Sequence, residues 1–452
     1  MHQKLLVLTI SLFLALIILP LNQNATADQG ITVLLDHLPL PSDTAPMLLQ
    51  GHTLVPFRVI AEALHVHVAW DNSTRTVTAW NSKTKIQLQI NNQTASINQN
   101  PVSLETPPVI INNRVLVPLR FFSEVFECQV DWDNNNKTVS INSPAQNMSV
   151  IGFYALGDEK TSSWQNLFAR PYPEVSTGNT GAVSELALGW YSLDDQGNLT
   201  TISKTGWQRP AGWEFVLQQA AAFHLGTAMV VHMTDANSVL TNLLGDPAKR
   251  ARAIQSIKAE ARSYQGVNLD FEGLGYDQGR PSGINNDFTT FVSELSRELK
   301  PDGLSLALSL HPLNSVYRGY DYRALGEIAD HIIIMAYDYG TTPEPAPMVV
   351  QAVTLALDAV PAAKLVLGIS LPHETPPSLA AKIGIARRFN LNGIALWRLG
   401  LVTEPMWEVI KANTLPDRES GVRSRNGNLF TDAGTDLKPI FHPAGAAVAA
   451  GL

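Results

Sequence analysis

The sequence predicts an α/β protein in which a (β/α)8 barrel is preceded by a small duplicated α+β domain. Three observations predict it. From residue 148 onward, short β-rich apolar runs alternate with helical stretches, which implies parallel strands joined by crossover helices. That region, 148–416, is 269 residues long, close to the roughly 250 typical of such a barrel. Ahead of it, the chain repeats itself at an offset of 62 residues. At 452 residues the chain is also too long for a single core, because cores stop growing at about 250–300 residues.

The first element is Met1–Lys4, with Lys4 as its positive charge, followed by the almost wholly apolar Leu5–Leu21 and then Ala25-Thr26-Ala27. A basic start, an apolar run and a small-x-small site are the order of a secretory signal peptide, here expected over 1–27. The alternative is an uncleaved anchor, since an apolar run approaching about 17–25 residues could span a bilayer. No Cys follows the run, so lipid attachment there is excluded. The single Cys excludes an intrachain disulfide framework and a Cys-rich zinc site, and in an exported chain it fits a bacterial cell surface. A net charge of −8 argues against a nucleic-acid partner. After signal cleavage no membrane segment is expected, and the product reads as a secreted monomer at the cell wall that needs no cofactor.

The repeat occupies about 30–144. Leu54, Val55, Pro56, Arg58, Glu62, Val68, Trp70, Asp71 and Asn72 recur as Leu116, Val117, Pro118, Arg120, Glu124, Val130, Trp132, Asp133 and Asn134. Each copy reads as a Val-Pro entry, a short helix (58–64 in the first) and an alternating hairpin (66–70 and 76–80) turned at Asp-Asn. Residues 85–97 add further alternating strand. On the Val-Pro-x-Arg and Val-x-Trp-Asp pairs the region resembles the copper amine oxidase N-terminal-like (stalk) domain, which suggests attachment to the cell wall. His65 and His67, two apart, would share a strand face and could share a copper ion. The repeat argues against a metal, because the equivalent residues are Glu127 and Gln129. Cys128 stands where the first copy has Val66 and reads as a small buried hydrophobe.

The barrel strands read as 149–155, 185–191, 227–232, 266–272, 304–310, 331–337, 364–371 and 393–397. Helices fall at 213–223, 247–264, 287–300, 322–329, 348–359 and 379–389, with 404–413 after the last strand. Residues 417–452 show no periodicity and read as a disordered tail.

In a barrel the chemistry sits at the carboxyl ends of the strands. The fourth strand ends Gly-Val-Asn-Leu-Asp-Phe-Glu, which points Asn268, Asp270 and Glu272 to one face, the interior, and Val267, Leu269 and Phe271 outward. Three polar residues in a row on an inner face are expensive unless used. The sixth strand ends Met335-Ala336-Tyr337-Asp338, and the eighth places Trp397 at the mouth. Aromatic rings suit the apolar C–H faces of sugars.

Together these segments resemble glycoside hydrolase family 18, the chitinase family, over 148–416. They are most like the subset that acts on peptidoglycan and spore cortex. The family motif Asp-x-x-Asp-x-Asp-x-Glu reads here Gln265, Asn268, Asp270 and Glu272, so two of its acids are replaced. The resemblance implies substrate-assisted, retaining hydrolysis of a polysaccharide. Glu272 would be the general acid/base, while Asp270 and Tyr337 would hold the substrate's acetamide. Trp397 would floor the sugar, with Asp338, Met335 and Asn268 around it and Tyr154 and Trp190 as further cleft residues. A chitinase-like lectin that binds without cutting is the alternative, which the presence of Glu272 disfavours. The 21 residues between strands seven and eight (372–392) leave no room for an inserted subdomain, so an open groove is expected.

Overall fold

The computed structural model describes residues 30–40, 42, 44–49, 51–155, 162–202, 208–276 and 283–418. The expected signal segment, and the tail beyond 418, lie outside the described residues. Among the described residues no helix is long and apolar enough to cross a membrane.

The duplicated region folds around its own core. The first copy runs His52–Pro56, helix Phe57–Ala63, and hairpin His67–Asp71 with Thr76–Trp80. The second runs Arg114–Pro118, helix Leu119–Val125, and hairpin Gln129–Asp133 with Thr138–Asn142. Pro56 and Pro118 donate no N–H, so each ladder ends there, and their φ of −58° and −59° hands the chain to the helix. Leu54 pairs with Pro118, Val55 with Val117 and Pro56 with Leu116, so the antiparallel pairing is centred on the equivalent valines of the two copies. Phe57 and Phe122 meet edge to face beneath it, 5.3 Å apart. Cys128 is buried in the place of Val66, and burial pushes its thiol up to about 12.

His65 and His67 do not share a face, contrary to the strand reading. His65 lies in the left-handed turn before the strand, at φ 55°, and its Nε2 meets the Arg387 carbonyl at 2.8 Å. His67 opens the strand and stacks on Trp80.

Eight parallel strands form the barrel: Gln146–Tyr154 (β1), Glu185–Leu193 (β2), Gly226–Thr234 (β3), Gly266–Glu272 (β4), Ser305–Leu310 (β5), His331–Ile334 (β6), Leu365–Ser370 (β7) and Gly393–Trp397 (β8). Pairing of β1 with both β2 and β8 closes the ring. Ile151, Phe153, Ala187, Val230, Ile333, Val366 and Ala395 fill its interior, with Trp397 against them. The outward residues of every strand join one large apolar layer under the helices.

Two short helices, Ser163–Phe168 and Val239–Gly245, were not legible in the sequence. The sixth strand is also shorter than its sequence suggests, ending at Ile334. Ala336 N–H donates to the Ile334 carbonyl at 2.8 Å and Tyr337 N–H to the Met335 carbonyl at 2.9 Å, so two successive i to i+2 turns replace the ladder. Between β7 and β8 stand only a short turn and the helix Pro376–Arg388.

The two domains pack against each other. That same helix carries Arg387, which is 2% exposed and donates to the Ser143 hydroxyl, to the Pro144 carbonyl (2.7 Å) and to Asn413 Oδ1 (2.9 Å). Asp36 faces it at 3.7 Å and accepts from Ser143 N–H (2.8 Å) and Oγ (2.7 Å). Arg388 donates to the carbonyls of Leu35, Leu38 and Pro39. Gly384 permits this approach, because a Cβ there would sit 2.6 Å from the Asp36 carbonyl.

Candidate active site

β4 leaves the barrel between β3 and β5, with Asp270 opposite His232 on one side and Ser309 on the other. Alternation buries Val267, Leu269 and Phe271 in the outer layer and turns Asn268, Asp270 and Glu272 inward. The three sit at different depths. Asn268 is lowest, 1% exposed, and its Oδ1 accepts from Ser309 Oγ at 3.0 Å. Asp270 is buried above it, and its Oδ1 has no hydrogen-bond partner among the described residues. Glu272 reaches the rim, with 34% of its side chain exposed. Gln265, at the foot of the strand, accepts the Thr227 N–H at 3.1 Å and so ties β4 to β3.

A cavity of about 120 Å³ opens over these groups. Asp270, Glu272, Met335, Tyr337, Asp338 and Trp397 line it together with Phe153. Trp397 and Phe153 meet edge to face at 5.2 Å and make one apolar wall. Asn268 lies beneath the lining rather than in it.

Two expected cleft residues are elsewhere. Tyr154 and Trp190 are fully buried in the outer layer, edge to face with each other at 6.1 Å, and Trp190 packs on Trp213 of helix Trp213–Ala222. The reason is strand parity. Ile151 and Phe153 are the inward residues of β1, so Phe153 holds the place given to Tyr154. In β2, Ala187 points inward, so alternation places Leu188 and Trp190 on the helix side, and a bulge between Gly189 and Tyr191 keeps Tyr191 there too.

His232 was not singled out from the sequence. It is 6% exposed on β3, two residues beyond the interior Val230, and its Nε2 stands 3.7 Å from Glu272 Oε1, longer than a hydrogen bond. That spacing was the available signal. Burial pulls the imidazole down to about 4, so it is neutral beside the acid.

Burial holds the Asp270 carboxyl well above the usual carboxylate range, and the charge of Glu272 adds to it. Glu272 is raised as well, by burial first and by the charge of Asp338 second. Two neighbouring carboxyls in a low dielectric retain a proton at pH values where isolated ones would both be ionised. The pair can therefore supply one acid and one anion. His232, Asp270 and Glu272 bring their ligand atoms within 4.8 Å of one another, but a divalent cation would need both carboxyls ionised, against that tendency.

The loop after β6 is held from behind. The buried Glu344 carboxylate accepts the backbone N–H groups of Asp338 (2.8 Å) and Tyr339 (3.1 Å) and contacts His373 Nδ1 at 2.9 Å. Lys382 donates to the Glu344 carbonyl and pairs with Glu374 at 3.2 Å. This fixes Asp338 in a left-handed conformation, φ 65°, at the cavity rim. On the other side Tyr320 donates to the Phe271 carbonyl at 2.8 Å and accepts from Leu274 N–H, bracing the turn that follows Glu272.

A prediction follows from the Asp338 charge. Asp338→Asn removes one cause of the raised Glu272 pKa, so the acid form is lost at lower pH. The alkaline limb of a kcat/KM profile should move toward acid, more so at low salt, because Asp338 is largely exposed and screened. An unmoved limb would show that Glu272 does not set it.

Comparison with known proteins fits this geometry. Residues 233–373 match the model of the glycosyl hydrolases family 18, and residues 35–141 match that of the copper amine oxidase N-terminal domain. The chain is 30% identical over 143 residues to a cortical fragment-lytic enzyme of Bacillus subtilis, which covers 28% of this chain and 32% of that protein. It spans about a third of the length of the curated relatives it matches. Among solved structures, the Bacillus megaterium spore cortex-lytic enzyme SleL superposes with a TM-score of 0.50 at 17% identity, covering 70% of this chain and 80% of that one. A class V chitinase from Pseudomonas fluorescens superposes with a TM-score of 0.50 at 18% identity over 59% and 99%. The chain therefore matches glycosyl hydrolases family 18 over part of its barrel and the copper amine oxidase N-terminal domain over its duplicated region.

Proposed function

We propose that the protein is an exported glycosidase that cleaves β-1,4 bonds after N-acetylglucosamine in a cell-wall polymer, by substrate-assisted hydrolysis with retention. The observation that carries this reading is the buried Asp270 Oδ1, without a hydrogen-bond partner among the described residues, beside Glu272 and Tyr337 in a cavity walled by Trp397 and Phe153. A buried acceptor left open costs about 1–3 kcal/mol, and the N–H of a 2-acetamido group supplies the missing donor. Glu272 protonates the leaving oxygen, for which its raised pKa suits it. The acetamide oxygen attacks the anomeric carbon, and Asp270 takes up the positive charge of the oxazolinium while the Tyr337 hydroxyl holds the acetamide oxygen. Glu272, now ionised, then draws a proton from water as that water opens the ring.

Peptidoglycan or its spore-cortex form is the substrate class favoured by the similarity to cortical fragment-lytic enzymes. The short connection between β7 and β8 leaves the groove open to a cross-linked polymer. The test is mass spectrometry of digests of peptidoglycan, cortex fragments and chitin oligomers by the purified protein. Fragments ending in reducing N-acetylglucosamine are expected. Tight binding of these polymers with no product after long incubation would replace the hydrolase with a lectin.

A further inference from the structure

A second concave site lies in the duplicated domain, far in sequence from the barrel mouth. It is a groove of about 680 Å³ where the two repeats meet. One wall is the first copy's helix and hairpin, with Arg58, Glu62, Trp70 and Arg75; the other is the second copy's entry hairpin, with Asn113 and Arg114. Its size falls in the range of about 300–1,000 Å³ that small-molecule sites occupy.

Two features select a ligand. Trp70 lies on an edge strand of its five-stranded sheet and is 37% exposed, an apolar ring available for stacking. Three guanidinium groups line the groove against one carboxylate, Glu62, which pairs loosely with Arg58 at 3.9 Å. That excess of positive charge stands out in a chain of net charge −8. The repeat keeps only part of it. At the equivalent places the second copy has Trp132, Arg120, Glu124 and, for Arg75, Lys137, but His52 stands at the place of Arg114 and contacts Glu105 at 2.9 Å.

We propose that this groove binds a carboxylate-bearing glycan, with a sugar face on Trp70 and its carboxylate in the fork of Arg75 and Arg114. The occupant is a peptidoglycan strand, whose lactyl and peptide carboxylates supply the charge; in naming that polymer the inference rests on the hydrolase reading. Held there, one strand stays with the protein while the barrel works on it or its neighbour.

The test uses the full chain in a Glu272→Gln background, so that the polymer survives, and measures co-sedimentation with insoluble peptidoglycan, with carboxyl-amidated peptidoglycan and with chitin. Trp70→Ala and Arg75→Gln, separately and together, are each expected to weaken binding to native peptidoglycan, about tenfold for the pair. Amidation should mimic Arg75→Gln, and binding to chitin should not follow the arginine. Both positions are on the surface, and a Tm for each variant confirms folding. Unchanged sedimentation of the double variant overturns the proposal, as does an equal loss on neutral chitin. Because no cleavage is read, groove binding that persists without any hydrolase activity in the parent protein would refute only the barrel's assignment.

Discussion

Glu272→Gln is expected to lower kcat on N-acetylglucosamine polymers by about 10²–10⁴-fold, the usual contribution of a positioned general acid, with KM little changed. The amide keeps the shape of the side chain and its place at the cavity rim but has no proton of suitable acidity. Asp270→Asn should lose activity on a similar scale for a different reason: once the acetamide N–H donates to Asp270, the proton the pair shares sits on Glu272, and the variant removes the charge then opposite the oxazolinium. The two variants separate in stability. The folded pKa of Asp270 lies well above that of an unfolded Asp, so the native state holds a proton that the unfolded chain has released. The stability of the wild-type protein therefore falls as pH rises through the window between those two values. Asp270→Asn removes that loss, and its Tm should exceed the wild type's at pH 7 to 8 and converge with it toward pH 4. Equal Tm values across that range would mean that Asp270 is not buried in the way described.

Asp36→Asn should cost about 3–5 kcal/mol of stability, the penalty for leaving one member of a buried ion pair unpaired. Asn tolerates the left-handed backbone at this position, φ 50°, so the loss reports the charge and not backbone strain. Arg387, 2% exposed, would keep its carbonyl and hydroxyl acceptors but lose the one carboxylate within 4 Å of it among the described residues. Its pKa is already lowered by burial, an effect that Asp36 opposes. Combining Asp36→Asn with Arg387→Met should recover much of the stability, because no charge is then buried. Denaturant titration of the single and double variants checks this. A loss below about 1 kcal/mol for the single variant would place the pair in the class of exposed, weakly contributing bridges.

Much of the barrel was legible because parallel strands buried on both faces read as apolar runs between periodic helices. The fourth strand, from Gly266 to Glu272, and the eighth, from Gly393 to Trp397, have the bounds expected. Glu272, Asp270, Tyr337, Asp338, Met335 and Trp397 do converge on one cavity. What the sequence hid follows from how strands report direction. Tyr154 and Phe153 are neighbours on one strand, and a shift of one residue exchanges the interior for the outer layer. In a run as apolar as Val-Ile-Gly-Phe-Tyr, no polar partner marks which residue faces in. Trp190 falls outside for the same reason, three residues from the inward Ala187. Tyr337 was placed correctly although its strand had already ended, because two tight turns happen to preserve the inward direction. Supports such as Glu344, Tyr320 and Asp36 act across 6 to more than 100 residues of sequence, and no local pattern announces them.

The most direct measurement of the central claim is the anomeric form of the first product. Proton NMR taken within the first minutes of cleavage of a chitin oligomer or peptidoglycan fragment should show the β-anomer, formed by two inversions through the acetamide, before mutarotation. The same substrate with its reacting 2-acetamido group deacetylated should not be cleaved. An initial α-anomer, or ready cleavage of the deacetylated sugar, would contradict an acetamide held by Asp270 and Tyr337 as the nucleophile.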